Sequence, residues 1–189
     1  MGRPMSFDTD DVVDKAVEVF WRQGFGATTP QNLVDALGIG KGSLYNTFKS
    51  KHQLFQLAMR RYSELRLAEL TEGLDGPGAV RPKLRRAVHG LAGISEHQRG
   101  CLVVNAVAEL GTSTPEVAEV SKELFSRIED RFEAAIERGR VSGELQADTE
   151  PRDAAGALLA AVIGTNVLTK TGRGPGHLSR LLDAALAAL

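Results

Sequence analysis

The chain has 189 residues, 42% of them hydrophobic and 25% charged, which suffices for a buried core and is ordinary for a soluble globular protein. A net charge of −1 excludes a uniformly basic polyanion binder, and a single cysteine, Cys101, excludes an intrachain disulfide. The N-terminus is polar, and the longest uncharged run, 154–169, is short for a membrane span, so the cytoplasm is the expected compartment and no membrane contact is expected.

The averaged charge hides an asymmetry. Residues 1–62 carry 8 Lys and Arg against 6 Asp and Glu, and all six acids lie at or before Asp35. Between Ala36 and Tyr62 stand Lys41, Lys49, Lys51, Arg60 and Arg61 with no acid among them. A phosphate-facing surface needs such an excess, and a solvated helix face can look the same.

Taken in chain order, the elements are all helical. Asp8 is a fitting N-cap for a helix over about 9–23, with Val12, Ala16 and Phe20 forming its apolar stripe and Gly24 its stop. Thr29-Pro30 opens a second helix that stops at Gly38, and a third runs from Lys41 to about Phe48. Ser50 through Gln53 has capping-box spacing and opens a long fourth helix toward Thr71, followed by a glycine-rich loop at 73–78. Five more helices are expected at about 81–95, 101–110, 115–138, 152–170 and 177–188, two of them started by Thr114-Pro115 and Glu150-Pro151. Alternating β-branched runs are absent, so the fold class is all-α with about nine helices.

Short helices with a glycine turn between the second and third, followed by a long one, have helix-turn-helix order. The turn is Gly38-Ile39-Gly40, and Leu33, Leu37, Leu44 and Phe48 supply a small apolar core. With Leu44 and Phe48 inward, Lys41, Ser43, Tyr45, Asn46 and Thr47 cover the other faces, as donors and acceptors for phosphates and base edges. Lys51 falls in the first turn of the fourth helix, where a positive charge opposes the macrodipole. An exposed lysine there costs about a few tenths of a kcal/mol; a bound phosphate would resolve the conflict, and the spacing of the whole segment favours phosphate.

Thr28 to Phe48, TTPQNLVDALGIGKGSLYNTF, followed by Lys49-Ser50-Lys51, resembles the DNA-binding signature of TetR-family repressors. The upstream segment from Val12 through Phe25 also fits their first helix, so the resemblance covers about residues 8–62. It implies a DNA-binding domain over 1–50, joined by the long helix to a helical ligand-binding and dimerisation domain over 51–189. It implies DNA-binding roles for Thr28, Lys41, Gly42, Ser43, Tyr45, Asn46, Thr47 and Lys51. Within that set Lys41, Ser43, Asn46 and Thr47 would face the groove, Tyr45 and Lys51 would hold phosphates, and Thr28 would anchor the second helix to the DNA backbone. Gly40 departs from the family's usual capping serine and offers no hydroxyl. Arg3 is either a minor-groove arm or part of a terminus without a role.

In the regulatory half, 154–164 is apolar on every face, as is much of 178–189, so helices at 152–170 and 177–188 are expected to pair across a homodimer. Cys101 follows Arg99-Gly100 at a helix start, where the dipole favours thiolate, and resembles the sensor cysteine of the family's electrophile- and oxidant-responsive branch. A small core residue is the competing reading. An effector pocket is expected from Cys101, Val103, Asn105, Val107, Leu124 and Ile128. His89, Glu96, His97 and Cys101 lack metal-ligand spacing, so no metal and no cofactor is expected.

The resulting expectation is a homodimeric repressor on a palindromic operator in double-stranded DNA, released by a small-molecule or electrophile effector. An activator, or a helical interaction protein with a vestigial helix-turn-helix, remains as the alternative reading. No nucleophile–base pair or phosphate-binding glycine loop points to an enzyme.

Overall fold

The computed structural model describes residues 7–94, 99–148 and 150–189. Among these residues nine α-helices and no strand are found. They are α1 (Thr9–Ala27), α2 (Pro30–Leu37), α3 (Lys41–Phe48), α4 (Lys51–Asp75), α5 (Val80–Leu91), α6 (Leu102–Leu110), α7 (Pro115–Val141), α8 (Pro151–Thr169) and α9 (Pro175–Ala187), with a 3₁₀ turn at Gly111–Ser113.

The caps expected from sequence act at their helix starts. Asp8 accepts from the Asp10 N–H at 2.9 Å, and Ser50 accepts from the Gln53 N–H at 3.1 Å. Thr29 forms a reciprocal box with Asn32, each side chain accepting from the other's backbone N–H, ahead of Pro30. Each such cap is worth about 1 kcal/mol, because it satisfies N–H groups that have no partner inside the helix.

Two glycines that stand at the expected helix ends do something else. Gly24 leaves helical geometry (φ 79°, ψ 174°), but α1 resumes for another turn to Ala27, so Gly24 is a kink. Gly139 lies inside α7, and a Cβ there would sit 2.7 Å from the Leu145 side chain, so close packing explains the glycine. Helix α4 likewise runs through Gly73 and ends at Gly76-Pro77.

The core is continuous. Phe20, Leu33, Leu44, Phe48, Leu54 and Phe55 knit α1 through α4, while Leu84, Leu102, Phe132, Ile136 and Leu158 fill the space among the later helices. Phe55 is the junction, with its ring 4.9 Å from Phe20 and 5.0 Å from Phe25. Helix α4 packs on α1, α5 and α7, so one rod connects both halves. Arg85 and His89 of α5 hold Asp183 of α9 at 2.7 and 3.0 Å. No helix among the described residues is long and apolar enough to cross a membrane.

Candidate nucleic-acid interface and effector chamber

Helix α2 ends because Gly38 takes the left-handed conformation (φ 68°, ψ 24°) and returns its N–H to the Val34 carbonyl at 3.1 Å. Ile39 drops into the core beside Leu33, Leu37, Leu44 and Phe48, and Gly40 caps α3 without a side-chain hydrogen bond. This packing leaves Lys41, Gly42, Ser43 and Asn46 exposed and Tyr45 and Thr47 half-buried, which gives α3 one polar face turned away from the protein. Lys49 ends α3 in a tight turn with φ 61°, closed by the Ser50 N–H on the Phe48 carbonyl at 2.6 Å. A non-glycine residue in this region is strained, and the strain is held by the packed helices on either side.

Two of the expected DNA contacts have partners inside the protein. Thr28 is fully buried and its hydroxyl donates inward to the Gly24 carbonyl at 2.6 Å, so its side chain cannot anchor α2 to a phosphate. Lys51 donates to the Phe25 and Thr28 carbonyls at 2.8 and 2.9 Å and lies 4.2 Å from the centre of the Phe25 ring. The unfavourable charge at the start of α4 is therefore met by the carbonyl end of α1, with no phosphate needed. The basic stretch is also partly consumed: Arg61 grips Asp14 at 2.7 and 3.1 Å, and Arg60 lies within 4 Å of Glu119 and Glu123. Lys41 and Lys49 are the lysines of that stretch left on the surface. Arg3 falls outside the described residues.

Cys101 is the half-buried N-cap of α6. It lines a chamber of about 20 Å³, room for one water, together with Tyr62, Arg66, Leu124, Ile128 and Asn166. Of the expected pocket residues, Cys101, Leu124 and Ile128 are there and three are not. Val103 is wholly buried but does not line the chamber, Val107 is exposed, and the Asn105 amide is spent on the Arg99 carbonyl at 3.0 Å. One residue along a helix turns the side chain by about 100°, so Val104 takes the place expected for Val103. Tyr62, Arg66 and Asn166 escaped sequence reasoning because they arrive from α4 and α8. The Asn166 amide donates to the Leu91 and Val162 carbonyls, and its buried Oδ1 has no partner among the described residues. Burial pushes the Tyr62 phenol well above its usual range, so it stays neutral. His97 and Glu96 lie outside the described residues, and no group of metal ligands occurs among the rest.

The chamber is tied to the helix-turn-helix half at two levels. Trp21 of α1 donates its indole N–H to the Gly100 carbonyl at 2.9 Å, next to Cys101. Further along α6, the Glu109 carboxylate accepts from the Phe25 and Gly26 N–H groups at 2.9 and 2.6 Å, just past the Gly24 kink. Those N–H groups are free because the kink interrupts the helical ladder, and a carboxylate is their natural partner.

Residues 80–185 match the tetracyclin repressor-like C-terminal domain, and residues 12–58 match the bacterial regulatory proteins of the tetR family. The chain is also 31% identical to the HTH-type transcriptional regulator YezE of Bacillus subtilis across the whole of both proteins. The chain belongs to the TetR family. As a TetR-family protein it is a DNA-binding transcriptional regulator rather than an enzyme, and the helix-turn-helix described above is its DNA-binding element. The transcriptional repressor ComR of Escherichia coli is 25% identical, the match covering 97% of this chain and 88% of ComR. Among solved structures, the TetR-family regulator CifR in complex with 26-base-pair operator DNA is 29% identical, with a TM-score of 0.80 over 99% of both chains.

Proposed function

We propose that this TetR-family protein is a homodimeric repressor that leaves its operator when an effector, or modification of Cys101, disturbs the chamber behind α6. The observation carrying this reading is the double tie of α6 to α1. The Gly100 carbonyl and the Glu109 carboxylate both hold α1, and the second hold, at Gly26, lies four residues before the start of α2 at Pro30. An effector acts only by binding one arrangement of the two halves better than the other, and these ties give the chamber a mechanical route to the helix-turn-helix. Repression is supported by the repressors among the relatives, ComR and the Mycobacterium regulator DhaR, the latter 28% identical. The CifR structures bound to operator DNA carry substituted cysteines, which makes Cys101 the residue to test.

The recognition set is the exposed face of α3: Lys41, Gly42, Ser43 and Asn46, flanked by Tyr45 and Thr47. Homodimerisation is supported by α8 and α9. Each buries one side and leaves Ala157, Ala160, Gly164 and Val167, or Leu181 and Ala184, exposed. Small residues at this spacing admit a second pair of helices at close range.

The experiment is a footprint and anisotropy titration on the DNA flanking the regulator's own gene, with and without N-ethylmaleimide or hypochlorite. Release by either reagent in the wild type, lost in Cys101→Ser, is the expected result. Release that persists in Cys101→Ser removes the thiol from the mechanism. A reporter that falls rather than rises when the gene is deleted would make the protein an activator.

A further inference from the structure

A third feature of the regulatory half belongs neither to the DNA-binding face nor to the Cys101 chamber. Helices α4 and α5 diverge to leave an open cleft of about 240 Å³. Lys83 of α5 lines it, only 8% exposed, and has no hydrogen-bond or ion-pair partner among the described residues. Its stem is packed away while its ammonium opens on the cleft, where an anion would be the natural partner. The rest of the lining does not neutralise it. Arg66 and Arg86 add positive charge, and the cleft's one carboxylate, Glu69, is held by Arg66 at 2.9 Å.

The walls between these charges are apolar, formed by Leu70, Ala87 and Leu91. The cleft is also kept open at some expense to its helices. Gly73 of α4 and Gly90 of α5 both line it, and a Cβ on either would meet nothing within 4 Å. Packing does not require glycine at either place, although each costs its helix about 1 kcal/mol relative to alanine. An apolar slot with unmatched positive charge at its wall fits an anion that carries a hydrocarbon body.

We propose that the cleft between α4 and α5 binds a small organic carboxylate, its charge on Lys83 and Arg86 and its apolar body against Leu70, Ala87 and Leu91. This deepens the reading of an effector-controlled regulator and rests on it for any effect on DNA. Leu91 and Arg66 wall both the cleft and the Cys101 chamber, and α4 carries the helix-turn-helix at its other end, so an occupant touches elements that both halves share.

The test is isothermal titration of the full-length protein, without DNA, using benzoate, hexanoate, benzyl alcohol and inorganic phosphate. Benzoate or hexanoate is expected to bind saturably at one site per chain, with benzyl alcohol much weaker. Lys83→Met should lower the carboxylate affinity about ten- to hundred-fold, as loss of a charge-assisted hydrogen bond predicts. Lys83→Arg should retain binding, and Gly90→Leu, which fills the slot, should abolish it. Lys83→Met keeps the aliphatic stem and is expected to melt close to the wild type when no anion is present, which guards against misreading a folding defect. The proposal is overturned if neither carboxylate binds the wild type, or if Lys83→Met binds as well as the wild type. Phosphate binding as tightly as benzoate would overturn the assignment to an organic acid. Since the readout omits DNA, failure here is distinguishable from failure of effector control.

Discussion

At Lys51 the same side chain supports two different accounts, and its partners decide between them. Its ammonium satisfies the Phe25 and Thr28 carbonyls at the end of α1, so its charge joins two helices of the DNA-binding half. Lys51→Ala leaves those carbonyls without that donor and is expected to cost about 1–3 kcal/mol of stability, measured by thermal or urea melting. Its effect on the salt dependence of operator binding should be negligible. Lys41 stands exposed on the recognition face, and Lys41→Ala should flatten the plot of log affinity against log salt by about one unit. Equal slopes for wild type and Lys41→Ala would take Lys41 off the phosphate-contacting surface.

At the scale of elements, two junctions can be tested. The first is Glu109 of α6 on the kinked end of α1. Glu109→Ala should speed amide hydrogen exchange at Phe25 and Gly26 and weaken the coupling between effector and operator, whereas Glu109→Gln keeps an acceptor and should retain part of both. Gly26→Ala places a Cβ 2.8 Å from the carboxylate and is expected to reproduce the Glu109→Ala exchange pattern. Unchanged exchange in both variants would remove the clamp. The second is α5 on α9, where hydrogen bonds from Arg85 and His89 hold the Asp183 carboxyl down to about 2. A carboxylate whose folded pKa lies below its unfolded value near 3.9 contributes stability above about pH 4. That contribution is lost as the pH falls from about 4 to about 2. Acid melting of Asp183→Asn should therefore show a smaller loss of stability over that window than the wild type, and the curves should otherwise run parallel.

For the whole molecule, the uncovered sides of α8 and α9 carry the prediction. Gly164→Arg puts a bulky charge on an exposed stripe where a Cβ meets nothing within the chain, so the monomer should fold normally. Sedimentation should then show a monomer, with operator affinity reduced because two half-sites are no longer engaged together. A dimer that persists in Gly164→Arg would place the subunit contact elsewhere.

Much of this architecture was legible in the chain because its signals are local. Asp8, Thr29-Pro30, Ser50, Thr114-Pro115 and Glu150-Pro151 mark helix starts through bonds and ring constraints reaching at most a few residues. The inward pairs Leu33 and Leu37, and Leu44 and Phe48, follow from helical periodicity alone, and with them the outward face of α3. What escaped was set by distant neighbours. Gly24 became a kink because Glu109, more than eighty positions away, accepts the N–H groups that the kink releases, and Gly139 continues a helix because Leu145 folds back on it. Caps, turns and periodicity act over a few residues, so the helix starts, the helix-turn-helix and the polar face of α3 are written in the chain itself. The packing of the helices is what gives Thr28 and Lys51 partners inside the protein, brings Tyr62 and Asn166 to Cys101, and leaves Lys83 on a cleft without a counter-charge. Those facts depend on which helices pack together, and packing joins residues that no spacing along the chain connects.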